Sequence, residues 1–582
     1  MSKSLSSRLT DLRPLFLEPK NSIHRQYEAL RAFFVEGLPS ARAALQFGYT
    51  PGSFRILCHQ FRQNPHWDFF LPSRRTPRQD PRRDPGREQI IALRKQNLSI
   101  YDISRALAEK GKRHSPAAVA LILNQEGFDR LPRRRDEERP RTPRATQADV
   151  ADQRSLDLSA REFRTQFGGL FLFLPFLARI PWQEIVKKAD LPGSEMIPAE
   201  HALRSLLGLK LFGSRRHSHV MPDVFDEGLA LFAGLNVIPK RSFLTEYSCR
   251  IRPASYPKLM RHWFDAVGRL GLRHGDSFDL DFHTIPFHGE DALVQKHYVS
   301  KRSRRQKGIL AFLAQDAEQR VFCYANGQIR KENQNDEIFR FVEFWKEKTG
   351  HLPSELIFDS RLTSYANLSQ LNKLGIAFMT LRRRSRKLLE EIYATPPSAW
   401  RQIQLKNVGR IYHRPRILDR RIRLPRYEGS LRQLSITELG HEEPTLLLTN
   451  QLQRTPATLI ERYAQRMVIE NRIAEAIDFF HMDALSSAVA MKVNCDLQLT
   501  LMASSLYRLL GLQVGNGYEV AKADHLFRDF VDATAHVSLT EQDILVRFQK
   551  RAHNPLLLAA RFEQTRITVP WLGGKRLRLQ FG

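Results

Sequence analysis

At 582 residues the chain exceeds what one hydrophobic core supports, since a single core rarely grows beyond about 250–300 residues, so several domains are expected. Lys plus Arg number 91 against 62 Asp plus Glu, and the net charge of +29 points to a polyanionic partner. No apolar run reaches the ~18–20 residues of a membrane span, the start MSKSLSSRLTDLRPLF has no signal-peptide core, and Cys58, Cys249, Cys323 and Cys495 stand singly, without zinc-ligand spacing or a disulfide framework. A reduced, cytoplasmic and nucleoid-associated protein is expected, with nucleic acid rather than membrane as its partner.

Residues 1–63 read as a first DNA-binding module. In Tyr27–Gln63 two helical patterns meet at a tight turn through Phe47, Gly48 and Tyr49, and Ala44 and Gly48 supply the small residue and turn glycine of a helix-turn-helix. Thr50 and Pro51 start the second helix. It presents Ser53, Arg55, His59 and Arg62 on polar positions, as a helix lying in a major groove would. An ordinary helical hairpin is the plainer alternative.

Residues 88–130 repeat the idea in a different sequence. Ser99 and Asp102 form a capping-box start, Ile100, Ile103 and Leu107 face inward, Gly111 stops the helix, and Ser115-Pro116 opens another with Val119, Ile122 and Leu123 inward. Pro/Arg-rich connectors at 64–87 and 131–153 are too polar to fold alone, and their arginines suit phosphates or serve as solubilising linkers. Residues 154–275 read as a helical platform with apolar blocks FGGLFLFLPFLARIPW and HALRSLLGLKLFG, and residues 486–582 as a C-terminal helical region.

Beyond Gly275 the periodicity changes. Ser277–Phe287, SFDLDFHTIPF, alternates as a strand does, which sends Asp279 and Asp281 to one face. A basic segment SKRSRRQKG leads into a hairpin, Ile309–Ala314 and Arg320–Ala325, turned by Gln315–Gln319. A helix over Asn333–Thr349, an apolar strand Glu355–Phe358 ending at Asp359, a helix over Ser364–Leu374 and a strand over Gly375–Leu381 follow. Strand, strand, strand, helix, strand, helix, strand is the order of an RNase H-like fold. Residues 382–455 interrupt it with short β runs at Gln402–Leu405, Arg410–His413, Leu431–Leu439 and Thr445–Thr449, which predicts an inserted β subdomain. Then Thr455–His481 predicts one long helix: Thr455 caps it, Pro456 takes its first position, and neither Gly nor Pro breaks it. Tyr463, Arg466 and Glu470 share one face of that helix, which by itself would be a solvated salt-bridge edge. The expected class is multidomain α+β: helix-turn-helix modules, a helical platform, and an RNase H-like catalytic core over 276–485 carrying the β insertion.

Three stretches together resemble the DDE transposases of bacterial insertion sequences, the cut-and-paste group with a β insertion. They are LDFHTIPFHG at Leu280–Gly289, LIFDSRLTSYANLSQLNKLGIAF at Leu356–Phe378, and Tyr463-x-x-Arg466-x-x-x-Glu470. The resemblance implies that Asp281, Asp359 and Glu470 hold two Mg²⁺ ions, with Mn²⁺ as a substitute, and that Tyr463 and Arg466 contact the phosphates of an element end. It also implies double-stranded DNA as partner, both element ends and target, and a homodimer in a synaptic complex. Hydrolysis of a phosphodiester suits this set. Two hard cations about 3.5–4 Å apart serve the attacking and leaving oxygens, and carboxylates are their natural ligands.

Two departures from the family stand out. Ile477 occupies the position of the family's lysine, a role that Lys492 could take over, and Asp359 is followed by Ser360-Arg361 instead of Arg-Gly. Asp279 is the alternative ligand to Asp281, and Asp359 could instead cap the helix after it. His283 and His288 flank the first aspartate without a second ligand cluster and are read as structural. Two other functions stay open: a sequence-specific DNA-binding protein with an inert RNase H-like domain, and a Mg²⁺-dependent nuclease without strand transfer.

Overall fold

The computed structural model describes residues 16, 18–19, 21–65, 69, 86–96, 98–128, 150–286, 295–299, 304–360, 362–406, 414–439, 443–483 and 490–582. The chain divides into two units, Met1–Arg144 and Ala145–Gly582. Most of both connectors, the expected strand Arg410–His413, and His288 lie outside the described residues.

The first unit holds two helical groups, each with its own core. Helices α1 (Ser22–Phe34), α2 (Ser40–Gln46) and α3 (Pro51–Gln63) close over Ala29, Ala43, Ala44, Phe47, Phe54 and Leu57. Gly48, at φ +69°, turns the chain between α2 and α3, and the Thr50 side chain accepts the Ser53 N–H as the N-cap of α3. Helices α4 (Arg87–Lys95), α5 (Ile100–Glu109) and α6 (Pro116–Gln125) pack Ile90, Ile103, Leu107, Val119, Ile122 and Leu123 together. The Ser99/Asp102 capping box starts α5, and Ser115 caps α6.

The second unit opens with a correction. The region 154–275 is not wholly helical: strand β1 (Arg161–Thr165) precedes helices α7 (Trp182–Lys188), α8 (Ala199–Leu211), α9 (Glu227–Ala233), α10 (Arg241–Arg250) and α11 (Ser255–Arg269). Among the described residues no single helix is long and apolar enough to cross a membrane, and the bent apolar pair Gly168–Leu177 and Trp182–Lys188 lies in the protein core.

The central sheet follows. It comprises β2 (Ser277–Pro286), β3 (Gln295–Val299), β4 (Arg304–Asp316), β5 (Phe322–Ile329), β6 (Glu355–Phe358) and β7 (Ala377–Leu381), with helix α12 (Glu337–Thr349) before β6 and α13 (Tyr365–Lys373) after it. β2 pairs antiparallel with β4 and parallel with β6, β6 pairs parallel with β7, and β5 pairs antiparallel with β4. One face of β2 is core: Phe278 and Leu280 are fully buried, with Phe278 packed on Phe341 and Trp345 of α12 at ring separations of 5.1 and 4.5 Å. β3 is an addition to the expected order, and the tail of the basic segment, from Arg304 on, is already strand.

The insertion corrects a second expectation. It is not a subdomain with its own sheet. Helix α14 (Arg386–Tyr393) leads to β8 (Arg401–Gln402), β9 (Arg416–Ile422), β10 (Leu431–Thr437) and β11 (Thr445–Thr449), and β11 pairs antiparallel with β7, so the order runs on as β7-β11-β10-β9-β8 within one sheet. Pairing with β6 on one side and β11 on the other leaves no exposed edge on β7.

The predicted long helix is two. Helix α15 (Pro456–Gln465) stops at Arg466 and α16 (Val468–Asp478) begins two residues later. Through the break the Arg466 and Met467 N–H groups reach Tyr463 and Ala464, three residues back, so the tightened turn interrupts the helix without Gly or Pro. Helix α17 (Ala490–Val514) then crosses the core, and β12 (Ala535–Leu539), β13 (Asp543–Phe548), helix α18 (Asn554–Ala559), β14 (Ile567–Val569) and β15 (Lys575–Phe581) correct the expected helical C-terminus. These strands form a sheet in the order β1-β12-β13-β15-β14, sharing β1 with the far end of the unit. The alternation of KRLRLQF, with Leu577, Leu579 and Phe581 buried, carries the period-2 signal of a strand.

Candidate active site

Two parallel neighbours bring two acids side by side. Leu280 of β2 is in register with Phe358 of β6, so Asp281, midway along β2, and Asp359, one residue past the end of β6, are neighbours. The Asp359 carboxylate accepts the Ser360 N–H at 2.6 Å, and the helix after it is capped by Ser364, so Asp359 is not the cap.

The face of β2 that turns from the core carries Asp279, Asp281 and His283, and helices α15 and α16 meet it. Arg462 reaches Asp279 (2.9 Å), Glu355 Oε2 (3.0 Å) and Ser277 Oγ (2.9 Å). Arg466 reaches Asp281 (3.5 Å), and His283 Nε2 lies 2.8 Å from Asp483 Oδ1. The match is metric: four helical residues rise ~6.0 Å and two strand residues span ~6.6 Å, so Arg462/Arg466 and Asp279/Asp281 keep step. Sequence reasoning missed Arg462, although its i, i+4 spacing to Arg466 against an i, i+2 pair of aspartates was a readable signal.

The two aspartates differ in environment. Asp279 is 2% exposed and tied to Arg462; burial raises its pKa while Arg462 opposes that rise. Asp281 is pushed up to about 6 by burial, with Arg466 and the Phe282 N–H opposing and the charges of Asp359 and Glu470 adding to it. Glu470 is exposed and 3.7 Å from Arg466 Nη2. Burial works against the Arg466 cation, yet Tyr463, Asp281, Asp359 and Glu470 hold its pKa above the ordinary value. The same cluster surrounds Tyr463, whose phenol burial drives to about 12. The Tyr463 hydroxyl and the Arg466 Nε and Nη1 are buried without a hydrogen-bond partner among the described residues. Three acids therefore gather around one guanidinium that has hydrogen-bonding capacity to spare.

That arrangement bears on a metal. The donors are hard carboxylate oxygens, the kind that Mg²⁺ takes. However, among the described residues no three His, Cys, Asp or Glu side chains stand close enough to hold one metal ion. The donors fit in kind and not in spacing, with Arg466 standing where cationic charge is wanted.

The remaining predicted residues are placed as follows. Ser53, Arg55, His59 and Arg62 are all exposed on α3. Arg55 Nε–H donates to the Pro51 carbonyl, His59 and Gln63 are 3.1 Å apart, and the Arg62 guanidinium lies 5.3 Å from the Phe34 ring centre. Ile477 packs against the main core, where a lysine ammonium would be desolvated, and Lys492 on α17 is half-buried.

No protein-family model matches the chain, and no curated protein matches it. Among solved structures it is similar to a cryo-EM structure of the piggyBac transposase synaptic complex with hairpin DNA, at 10% identity and a TM-score of 0.36, over 63% of this chain and 80% of that one. A likeness of that size establishes neither a shared fold nor a shared activity.

Proposed function

We propose that this chain is a DNA transposase of the DDE type, which binds the ends of its element and catalyses cleavage and strand transfer. The observation that carries the reading is the meeting of Asp281, Asp359 and Glu470 about Arg466, from three segments far apart in sequence. The strand order β5-β4-β2-β6-β7, antiparallel up to β2 and parallel after it, supports an RNase H-like core, and the sequence resemblance supplies the family.

In this reading Asp281, Asp359 and Glu470 supply the hard oxygens that Mg²⁺ takes, although as they stand they do not close on one ion, and the chemistry Mg²⁺ would supply there is neutralised phosphate charge and a lowered pKa for the attacking water. Arg466 would offer its Nε–H to a phosphate in a charge-assisted contact, with Nη1 ion-paired to Asp281, and Tyr463 its hydroxyl. Arg462 holds α15 to the sheet, and so sets where Arg466 lies. Helix α3, with Ser53, Arg55, His59 and Arg62, would read an element end, α4–α6 would form a second module, and two copies would pair the ends.

A second reading, a DNA-binding protein with an inert core, is favoured by one observation: Arg466 lies between the acids, and they do not close on one ion. One experiment separates the two. Duplexes spanning the inverted repeats that flank the coding region are incubated with full-length protein and Mg²⁺, and their ends are mapped. The transposase reading expects nicks at the repeat ends that vanish in Glu470→Gln while the circular dichroism spectrum is retained. Absence of cleavage with either Mg²⁺ or Mn²⁺, or cleavage that survives Glu470→Gln, overturns it.

A further inference from the structure

The sheet that joins β1 to β12–β15 buries one face and leaves the other to solvent. Alternate residues on the open face are exposed: Arg164 on β1, His536 on β12, Arg547 on β13, and Arg576, Arg578 and Gln580 on β15. The registers Arg164↔His536, His536↔Arg547 and Arg547↔Gln580 lay four of them in one row across the strands, and Leu545↔Arg578 places Arg578 in the adjacent row. Beside the row a groove of about 480 Å³ is lined by Arg547, Arg566, Arg578 and Gln580.

The acids of this face are already engaged. Asp543 pairs with Arg576 at 2.9 Å, Glu162 accepts from Ser538 Oγ, and Glu563 accepts from the Phe581 N–H. By contrast, among the described residues Arg547 bonds only the Gln580 amide, and Arg566 only the carbonyls of Glu563 and Thr565. Arg578 comes no closer than 4.0 Å to Asp543, and Arg164 has no carboxylate within salt-bridge distance among the described residues. From Arg164 to Arg578 is three interstrand steps, on the order of 14 Å at ~4.8 Å each. That is comparable with the ~12 Å width of a DNA major groove, whose two edges are phosphate backbones.

We infer that this open sheet face is a phosphate-backbone binding surface for duplex DNA, separate from both the acid cluster and α3. Arg164 and Arg547, without carboxylate partners among the described residues, and Arg578, at 4.0 Å from Asp543, sit on a rigid sheet and meet phosphates with little reorganisation. The face reads no sequence and adds a salt-sensitive contribution. The identity of the polyanion rests on the DNA reading above.

The test is the salt dependence of binding by the full chain to a duplex of arbitrary sequence. Each phosphate contact contributes about 0.9 to the slope of log affinity against log salt, so Arg164→Gln/Arg547→Gln/Arg578→Gln should lower the slope by about 2–3. Exposed positions leave the thermal midpoint as in the parent. A control, Arg241→Gln/Lys258→Gln/Arg269→Gln, removes equal charge from other exposed positions and should leave the slope within about 1 of the parent. An unchanged slope in the first variant, or an equal fall in the control, overturns this inference alone. Parent protein that shows no salt-dependent duplex binding overturns the DNA reading as well.

Discussion

Arg462 is the residue on which the geometry of the acid cluster most depends, and replacing it with Gln tests that directly. Its guanidinium meets Asp279, which is 2% exposed, and Glu355, which is 5% exposed. Removing one partner of a buried ion pair costs about 3–5 kcal/mol, because the other charge stays desolvated. Glu355 keeps Arg454 and Gln451, so Asp279 suffers most and the cost should fall near 3–4 kcal/mol on that same scale. Urea unfolding followed by tryptophan fluorescence suits the measurement, since Trp345 packs on Phe278 behind the same strand. Asp279→Asn alone leaves Arg462 with Glu355 and Ser277 and should cost about 1–2 kcal/mol. The double variant should then be more stable than the summed single losses by about 2 kcal/mol or more. Arg462→Lys should not rescue, since one ammonium cannot span three acceptors in a planar fork. A loss under about 1 kcal/mol, or strict additivity in the cycle, would refute the claim that this network clamps α15 to the sheet.

Asp281 gives a pH prediction of opposite sign. Its folded pKa of about 6 lies above the ordinary 3.8, so the folded state binds the extra proton, and the stability that this group contributes is present below pH 4 and lost as pH rises through 6. Asp281→Asn should therefore raise apo-protein stability at pH 8 by roughly 2–3 kcal/mol, a gain that disappears at pH 4; destabilisation at pH 8 would contradict it. Mg²⁺ should raise the thermal midpoint of the parent and not of Asp281→Asn, read by calorimetry across a metal titration. Gly169→Ala should cost at least about 1–3 kcal/mol in the same urea assay, because a Cβ there collides with the Val531 backbone. Arg55→Ala should weaken binding to an element end by about 1–3 kcal/mol and spare arbitrary duplex, which competition with scrambled DNA would report.

Local chemistry was the legible part of the sequence. Thr50, Ser99, Ser115, Ser364 and Thr455 cap helices where their side chains predict it, and the alternation of SFDLDFHTIPF separates Phe278 and Leu280 from Asp279 and Asp281. What escaped depends on distant partners. β1 is five residues with no hydrophobic run, and only pairing with β12 makes it a strand. The helix break at Arg466 has no local signal, neither Gly nor Pro, and Arg466 at the break is ion-paired to Asp281. Alternation alone puts Asp279 and Asp281 on one face, and the spacing to Ile285-Pro286 that favours Asp281 comes from the resemblance; the structure separates them by partner, Arg462 for one and Arg466 for the other. Of the insertion strands β10 and β11 were visible, β8 overlaps its expected run only at Gln402, and β9 (Arg416–Ile422) was missed; the union of β11 with β7 in one sheet rests on a register that no single stretch encodes.

The five-stranded sheet has a temporal consequence. Arg161 of β1 must wait for Leu539, and β15 fills an interior place between β13 and β14. At about 5–20 residues per second, a ribosome leaves β1 without its partner for roughly 20–80 s. Through that interval β1 and the apolar blocks after it stand without the C-terminal strands that complete their sheet and core, which exposes apolar surface to aggregation. Transcripts cut short before Lys575 should yield aggregating fragments instead of functioning shorter proteins.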